Sequence, residues 1–293
     1  MAPTVADGPE NVAAVRHGTT MGLNSKAVLI TGSTDGVGRR VAERIGATGM
    51  HVILHGRDRA RGNAAAAAIR AAGNPNVEFH HADLSSLAEV RRLADDVGRA
   101  HPRLDVLINN AGVGSGGPRG VRETSADGHE LRFAVNYLAG FLLTTLLLPT
   151  LRASTPSRIV NVASAGQSAI DFDDVMLERG YSGGRAYTQS KLAQVIFTFD
   201  LARELAGSGV TVTSLHPATY MNTTMVRQSG VPPMSTVDDG ADAILNLAVS
   251  PDLDGVSGAY FNRLQPARAD PQAYDERAQQ RLRELSLRLT GLP

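Results

Sequence analysis

Short runs of apolar and β-branched residues alternate along the chain with longer segments in which apolar residues recur at helical spacing. The short runs predict strands at residues 27–31, 51–55, 77–80, 105–109, 158–163, 210–215 and 259–262. The longer segments predict helices at residues 37–48, 60–72, 87–100, 130–152, 184–206 and 239–248. Near-continuous apolar strands are typical of a parallel sheet covered on both faces. The pattern therefore predicts an α/β fold, a doubly wound parallel sheet of about seven strands with helices on both faces.

The chain shows no internal repeat and no linker, so residues 23–293 are expected to form one domain. Residues 1–22 lack a period and predict a flexible tail, and no signal peptide is visible. The longest apolar stretch, 138–151, is shorter than the ~18 residues needed to cross a bilayer, which favours a core helix and no membrane span. Leucines at helical spacing in 270–292 predict a terminal helix docked on the body.

Composition narrows the classes of partner and compartment. Basic and acidic residues number 29 each, so the formal net charge is zero and gives no argument for a nucleic-acid partner. The chain has no cysteine, which excludes disulfides, thiolate metal sites and cysteine nucleophiles and fits a reducing cytoplasm. Only Lys26 and Lys191 are lysines among the basic residues, and this arginine bias, with long alanine runs, suggests a GC-rich bacterial genome.

The eight histidines show no metal-binding pattern. His51 and His55 are four residues apart on a predicted strand, where they share no helix face, and the adjacent His80 and His81 point to opposite faces. Because the chain also lacks cysteine and a His-Glu-x-x-His motif, no metal site is predicted.

A glycine-rich turn follows the first predicted strand and precedes a helix. Glycines let the backbone approach a phosphate closely, and a helix N-terminus offers free N–H groups to a pyrophosphate. The spacing G-x-x-x-G-x-G differs from the G-x-G-x-x-G fingerprint, so a tight turn without a ligand is the alternative. Its place on the first strand favours a Rossmann-type dinucleotide site. The predicted cofactor contacts in this turn are Gly32, Ser33, Thr34, Gly36, Val37 and Gly38.

The end of the second strand bears on which nucleotide binds. Chains that bind NAD place Asp or Glu there to hold the ribose 2′-hydroxyl, whereas arginine accommodates a 2′-phosphate. Here Gly56 stands in that place and Arg57 follows, which predicts NADP(H) over NAD(H). The alternative is a solvated arginine, and Asp58 could partly neutralise Arg57.

Tyr187 and Lys191 stand four residues apart in a predicted helix, so their side chains share one face. An ammonium group beside a phenol favours the phenolate and lowers the phenol pKa from about 10 toward working pH. Such a tyrosine can exchange a proton with an alcohol or carbonyl oxygen. Ser164 ends the fifth strand, at the edge where such sheets bind ligands, and could hydrogen-bond the same oxygen. The alternatives are a surface lysine over a packed tyrosine, and a serine that caps a helix or turn.

These motifs, in this order, resemble the single-domain short-chain dehydrogenase/reductases over residues 26–262. The matching residues are the turn at 31–38, Asn109-Asn110-Ala111-Gly112, Ser164 and Tyr187-x-x-x-Lys191. Residues 181–210, with Leu285-Ser286 and 289–292, are similar more narrowly to the retinol dehydrogenase and WW-domain oxidoreductase group.

The resemblance implies roles at the matching positions. Tyr187 would be the proton donor or acceptor, Lys191 would lower its pKa and hold the nicotinamide ribose, and Ser164 would orient the substrate carbonyl. Asn136 would anchor a water of the proton relay. Further cofactor contacts would come from Asp83, Leu84, Asn110, Ala111, Gly112, Pro217 and Thr219.

The chain departs from the family after the sixth strand. His216-Pro217-Ala218-Thr219 stands where the family usually has Pro-Gly, and the threonine expected further on falls on Asn222, with Thr223 next. Which of Thr219, Asn222 and Thr223 would touch the carboxamide is left open by the sequence.

Residues 219–237 would form a flap over the nicotinamide, as the family's fold implies. They hold three of the seven methionines, Met221, Met225 and Met234. Methionine adapts to varied apolar shapes, and Arg227 is the only basic residue of the flap. The flap therefore predicts a medium-to-bulky, mostly apolar carbonyl substrate, and simple packing of the methionines is the alternative.

The expected function is reduction of a ketone or aldehyde with NADPH, or alcohol oxidation in reverse. A non-catalytic nucleotide sensor or scaffold on the same fold is the alternative, although such proteins commonly lack the tyrosine or the lysine. An epimerase or dehydratase would need a longer segment after the sixth strand. Helices 130–152 and 184–206 are apolar nearly all round, and the family buries them between subunits, so a homodimer is expected.

Overall fold

Eight strands form one central sheet in the order β3-β2-β1-β4-β5-β6-β7-β8. The computed structural model describes residues 25–116 and 120–293, so the tail expected at 1–22 lies outside the described residues. The strands are β1 (Ala27–Ile30), β2 (His51–Gly56), β3 (Val77–His81), β4 (Val106–Asn109), β5 (Ser157–Val162), β6 (Val210–His216), β7 (Ala259–Asn262) and β8 (Gln265–Ala267). Strands β1 to β7 pair in parallel, and β8 is antiparallel to β7. The predicted fold class is confirmed. The short antiparallel strand β8 was not predicted, because no apolar run marks it in the sequence.

Helices cover both faces of the sheet. The α-helices are α1 (Gly36–Gly46), α2 (Arg59–Ala71), α3 (Leu87–Ala100), α4 (Ala139–Ala153), α5 (Gly183–Glu204), α6 (Thr224–Ser229), α7 (Val237–Val249) and α8 (Glu276–Thr290). A π-helical turn, Phe133–Leu138, runs directly into α4. The terminal helix begins later than predicted, because a 3₁₀ turn at Pro271–Tyr274 precedes it and Asp275 caps α8 by accepting a hydrogen bond from Arg277 N–H.

Two apolar cores lie on opposite faces of the sheet. Successive residues of a strand point to opposite faces, so Leu29 of β1 lies in one core while Val28 and Ile30 lie in the other. The core on the Leu29 side is closed by α3, α4, α5 and α8, and the other by α1, α2 and α7. This double coverage explains why the central strands are apolar at nearly every position.

The helix at Phe133–Ala153 is long and apolar enough to cross a membrane, by length and composition. It is longer than the apolar stretch considered in the sequence, because the π-helical turn continues into α4. Sixty-one per cent of its most apolar window is buried inside the fold, with α4 against α3 and the π-helical turn against α5. A core helix accounts for this burial, and the absence of a membrane span stays a prediction.

Helix α8 covers the outer face of α5. The hydroxyls of Tyr137 and Ser286 are hydrogen-bonded at 2.6 Å, and Arg283 donates a hydrogen bond of 2.6 Å to Asp200 of α5. Phe197, one of the apolar residues behind the homodimer prediction, is buried within the chain. Of the two apolar helices on which the homodimer prediction rests, α5 is therefore packed against the chain's own terminal helix.

The docking of α8 can be tested with Leu282→Ala. Leu282 is 1% exposed and belongs to the core between α5 and α8. Removing it should lower the free energy of unfolding by about 2–5 kcal/mol, because the contacts of a buried leucine are lost and a cavity remains. Denaturant unfolding followed by circular dichroism measures this. Leu264→Ala, at a site that is 49% exposed, is the control and should change little; equal small effects would contradict the docked position.

Candidate active site

Most of the predicted site residues lie where the central strands end at their carboxyl edge. The glycine turn follows β1, Gly112 lies just after β4, Ser164 after β5 and Pro217 after β6. Since β1 lies between β2 and β4, the chain direction of successive crossovers reverses there. Such a switch point opens the crevice in which α/β sheets bind their ligands.

The glycine turn is shaped by close backbone contacts. Gly32 and Gly36 have φ values of +65° and +54°, in the left-handed region. A side chain on Gly38 would overlap the Gly32 carbonyl and the Asn110 amide. The N–H groups of Val37 and Gly38 have no hydrogen-bond partner among the described residues. A cradle without room for side chains, with free N–H groups at the start of α1, fits the pyrophosphate of a dinucleotide.

Thr31 and Asn110 fix this turn to β4. The Thr31 hydroxyl accepts hydrogen bonds from the backbone N–H of Asn110 and of Ala111, at 2.9 and 3.0 Å. In return the Asn110 amide donates to the carbonyls of Thr31 and Gly32, at 2.9 and 3.1 Å. The Asn110 side chain thus holds the glycine turn in shape, which the resemblance had not specified.

His55 supports the same turn from the end of β2, and sequence reasoning missed it. Its Nδ1 accepts a hydrogen bond of 3.2 Å from Gly32 N–H, and its Nε2 lies 3.1 Å from the Ala82 carbonyl. Burial lowers the pKa of His55 to about 4, so the neutral ring donates from Nε2 to Ala82 at neutral pH. Its place directly before Gly56-Arg57 was the available signal, but His55 was weighed only as a metal ligand.

Arg57 is free to meet a ligand. Its side chain is exposed and makes no hydrogen bond or ion pair within residues 25–116 and 120–293. Asp58 caps α2 and accepts hydrogen bonds from the backbone and side chain of Arg61, both at 3.0 Å. The backbone hydrogen bond from Arg61 is the main cause that lowers the pKa of Asp58. The charge of Asp58 is therefore balanced by Arg61, and the pairing of Asp58 with Arg57 that the sequence left open is not observed.

Asp83 and Leu84 follow β3 at the next position along the sheet. The Asp83 carboxylate accepts a hydrogen bond of 2.9 Å from Ser85 N–H and is half-buried. Leu84 is buried in the core. Asp83 is thus placed at the carboxyl edge with an oxygen held by the backbone, while Leu84 contributes to packing.

Tyr187 and Lys191 both project from α5 toward the end of β5. The Lys191 ammonium group is buried, donates to the Val162 carbonyl and to Gln194 at 2.9 Å each, and lies 5.7 Å from the centre of the Tyr187 ring. The Ser164 hydroxyl lies close enough to the Tyr187 phenol to lower its pKa, and it accepts a hydrogen bond of 3.1 Å from Gly166 N–H. Three predicted side chains from two elements are therefore brought together.

The electrostatics of this group differ from the prediction. Burial raises the pKa of Tyr187, and the hydrogen bond from Ser164 offsets this only in part. Burial also lowers the pKa of Lys191 to about 7. The expected lowering of the tyrosine pKa by Lys191 is not observed, because the ammonium group points to Val162 and Gln194. The proton consequently stays on the phenol at neutral pH, which suits a group that donates it.

Asn136 lies on the π-helical turn, a distortion often found at functional sites. Its Oδ1 accepts a hydrogen bond of 2.7 Å from Val113 N–H, and its amide donates to the Val113 carbonyl and the Ser190 hydroxyl at 3.1 and 2.9 Å. A Cβ on Gly112 would lie 3.2 Å from Asn136 Oδ1 and 3.6 Å from Lys191 Nζ. Gly112 therefore lets the loop after β4 approach both side chains, and water binding by Asn136 stays a prediction.

The predicted flap lies over the site and contains α6. Thr223 caps α6 and packs against Gly36 of the glycine turn, 3.2 Å from where a Cβ would stand. Tyr220 has a φ of +43°, a strained value for a tyrosine, and its charge interaction raises the pKa of Tyr187. Thr219 is exposed, and its hydroxyl is 3.1 Å from Nε2 of His216. Thr223 is thus the one of the three open candidates that touches the glycine turn.

The three flap methionines have different surroundings. Met221 packs against Gly240 of α7, near Val37 of α1. Its sulfur leaves no space for a side chain on Gly240. Met225 lies against Gly114 in the loop after β4. Met234 is 71% exposed. Packing therefore accounts for Met221, and Met225 is the methionine placed beside the site.

A buried ion pair beside the site was also missed. Arg132 is 3% exposed, donates to the Gly114 carbonyl at 2.9 Å and to the Tyr181 hydroxyl at 2.8 Å, and pairs with Glu130 at 3.4 Å. It ties the loop after β4 to the segment that leads into α5. Two charged residues at the start of an otherwise apolar helix were the available signal.

The chain is similar in sequence to a known protein family and to several characterised proteins. The short chain dehydrogenase family matches residues 26–231. Human retinol dehydrogenase 13 is 40% identical over 289 residues, covering 92% of this chain and 86% of that protein. Human retinol dehydrogenase 12 is 36% identical over 286 residues, covering 94% and 89%.

The fold is also similar to those of solved structures. An uncharacterised protein from Mycobacterium paratuberculosis is 31% identical with a TM-score of 0.75, covering 92% of this chain and 94% of that one. A short chain dehydrogenase from Escherichia coli CFT073, complexed with NADPH, is 27% identical with a TM-score of 0.68, covering 83% and 98%.

The burial of Lys191 predicts that Lys191→Met stabilises the cofactor-free protein. The lysine pKa falls from 10.5 in the unfolded chain to about 7 in the fold, so folding is opposed below pH 10.5 and most strongly at pH 7 and below. We expect Lys191→Met to raise the free energy of unfolding by about 2 kcal/mol or more at pH 7, after the loss of the lysine's hydrogen bonds. The gain should shrink toward pH 10.

Urea unfolding at pH 7, 8.5 and 10 measures this effect. Lys26→Met replaces the only other lysine, which is not buried, and is the control. If the free energy of unfolding changed with pH in the same way in the Lys191→Met protein and in the unmodified protein, the destabilisation attributed to the buried ammonium group would be contradicted.

Proposed function

Because the chain belongs to the short-chain dehydrogenase/reductase family, in its retinol dehydrogenase group, we propose that it is an NADP(H)-dependent oxidoreductase that interconverts a carbonyl compound and its alcohol. The observation that carries the proposal is that Ser164, Tyr187 and the buried Lys191, 5.7 Å from the Tyr187 ring, come together at the edge of the sheet that holds the glycine turn. A sensor or scaffold has no use for this arrangement, because burying the ammonium group of Lys191 destabilises the fold.

When bound, NADP(H) supplies or accepts the hydride. The turn at residues 32–38 would hold its pyrophosphate, and Gly112 would leave space beside the ribose. In the reductive direction Ser164 donates a hydrogen bond to the carbonyl oxygen and so fixes its position next to Tyr187. Tyr187, whose pKa burial raises, keeps its proton until negative charge develops on that oxygen and then transfers it.

Lys191 acts after the proton has left Tyr187. The phenolate is an anion in a buried site, and a nearby anion raises the pKa of the lysine above its value of about 7 in the resting site. The ammonium group is then favoured and balances the phenolate. Lys191 thus tunes Tyr187 during the reaction, although the resting structure shows no lowered tyrosine pKa.

The preference for NADP(H) rests on the end of β2. Arg57 is exposed and unpaired among the described residues, and Asp58 is held by Arg61. A guanidinium group at this position can donate charge-assisted hydrogen bonds to a 2′-phosphate. Two structural relatives were solved with the same nucleotide: the Escherichia coli protein is complexed with NADPH and Pseudomonas aeruginosa RhlG with NADP.

The proposed substrate is a medium-to-bulky, mostly apolar aldehyde or ketone, or the matching alcohol. Met225 of the flap lies against Gly114 in the loop after β4, Tyr220 interacts electrostatically with Tyr187, and both flap side chains are exposed. Several relatives are named retinol dehydrogenases, and retinol is an apolar alcohol. Both observations favour an apolar substrate over a phosphorylated one.

Assembly, location and origin are predicted from the sequence. A homodimer stays a prediction from the two apolar helices 130–152 and 184–206, and α8 already packs against the second of them. A cytoplasmic location and a bacterial origin likewise stay predictions from composition.

Tyr187→Phe tests the proton donor and the function together. The change removes only the hydroxyl, so NADPH binding should stay within about two-fold while turnover falls by about 10²–10⁴-fold or more. NADPH absorbance measures turnover with a panel of aromatic and long-chain aldehydes, ketones and quinones. Tyr274→Phe, at an exposed tyrosine next to α8, is the control. Near-native turnover by the Tyr187→Phe protein would refute the assignment.

Arg57→Ala tests the choice of nucleotide. Loss of hydrogen bonds to a charged 2′-phosphate should weaken NADPH binding about ten-fold or more and leave NADH binding nearly unchanged. Calorimetric titration of both nucleotides measures this. Arg59→Ala, two residues further along and also exposed, is the control and should change little. Equal binding of NADPH and NADH by the unmodified protein would overturn the preference.

The methionines of the flap test the substrate class. Met225→Ala should change kcat/KM for a bulky apolar ketone about ten-fold more than for a small one, because it removes apolar contact beside the site. Met234→Ala should alter both values by the same factor, because that side chain is exposed to solvent. If Met225→Ala also changes the two values equally, its side chain makes no selective contact with the substrate.

A further inference from the structure

Three metal-ligating side chains meet at the edge of the sheet opposite the active site. His51 is the first residue of β2, Glu78 lies near the start of β3, and His101 caps the end of α3. Their ligand atoms all lie within 4.8 Å of one another. Because parallel strands share one direction, the starts of β2 and β3 are at the far end from Ser164 and Tyr187. The proposed oxidoreductase makes no use of these residues.

The two imidazole rings and the carboxylate converge. The ring centres of His51 and His101 are 4.8 Å apart with the planes at 70°. Nε2 of His101 contacts Oε1 of Glu78, and Nε2 of His80 lies 2.8 Å from the same oxygen. Each side chain comes from a rigid part of the fold: β2 and β3 are paired, and the His101 backbone N–H is bonded to the Val97 carbonyl at 2.9 Å.

His51 supplies the observation that hydrogen bonding leaves unexplained. Its Nε2 is buried and has no hydrogen-bond partner among the described residues, whereas His80 and His101 both contact Glu78. A buried polar atom without a partner is uncommon in proteins and destabilises the fold. A cation would satisfy an imidazole nitrogen in such a place, beside a second imidazole and a carboxylate.

We propose that His51, Glu78 and His101 bind a divalent transition-metal cation of the zinc class, with water at the remaining position. Two nitrogens and one carboxylate oxygen are a donor set that Zn²⁺ accepts, whereas Mg²⁺ and Ca²⁺ require oxygen ligands. His80 stays on the Glu78 carboxylate and orients it, as residues behind metal ligands commonly do. The cation joins β2, β3 and α3 and stabilises this edge of the sheet.

The proposal departs from the prediction of no metal site. Spacing along the sequence pairs His51 with His55, which lies four residues further on the same strand. The three ligands are instead 27 and 23 positions apart and come together only through the pairing of β2 with β3 and the return of α3. Sequence spacing carries no signal for such a site.

Zinc binding by the tag-free full chain tests the site. The protein is stripped with a chelator and dialysed against ZnCl₂, and bound zinc is counted by mass spectrometry. We expect one zinc per chain and a rise in Tm of about 2 °C or more on addition of ZnCl₂. His51→Gln and His101→Gln should each weaken binding at least ten-fold, while His129→Gln, in a distant loop, should bind like the unmodified protein.

Two results would overturn the proposal: no zinc bound by the unmodified protein, or binding that is unchanged in both His51→Gln and His101→Gln. Should those variants fail to fold, Co²⁺ added to the stripped unmodified protein must give visible absorption of a nitrogen-ligated ion, and a spectrum of hydrated Co²⁺ would refute the site. NADPH turnover provides a separate readout. It should be unchanged in the metal-stripped protein at a temperature well below its Tm, so the proposed function does not depend on this outcome.

Discussion

The active site depends on keeping a lysine ammonium group in the interior of the protein. Lys191 is buried, and its hydrogen-bond partners are the last carbonyl of β5 and the amide of Gln194 one turn further along α5. Burial of this kind opposes the charged form and destabilises the fold. The position of Lys191 in turn requires β5 and α5 to stay in register and Gly112 to leave space beside its Nζ. The site is thus built around a group that the fold holds at the expense of stability.

The second constraint is the close approach of the glycine turn to the strand ends around it. Thr31 and Asn110 hold the turn to β4, and His55 holds it to β2 through a neutral ring. No side chain fits at Gly38, so a phosphate can meet the backbone there. The nucleotide cradle and the proton-transfer group share β4 and its loop, since Asn110 and Gly112 are two residues apart. A change in that loop therefore disturbs both halves of the site.

Much of this arrangement could be predicted from the order of motifs along the chain. Several motifs can be recognised from neighbouring residues alone. They are the strand, glycine turn and helix at the start of the fold, then Ser164 and the Tyr187–Lys191 pair. Features made by distant contacts could not be predicted. The neutral state of His55 and the raised pKa of Tyr187 both depend on burial, and the outer face of α5 is covered only because α8 packs against it. None of these is encoded in the spacing of neighbouring residues.

The central claim is that the chain transfers hydride between a nicotinamide and a carbonyl carbon while its own tyrosine supplies the proton. The most direct test uses NADPH that carries deuterium at both C4 positions of the nicotinamide, with an aromatic or long-chain aldehyde. The claim predicts that each alcohol molecule formed carries one deuterium on the carbinol carbon, as measured by mass spectrometry. Alcohol without deuterium, or no alcohol from any apolar aldehyde or ketone, would contradict it.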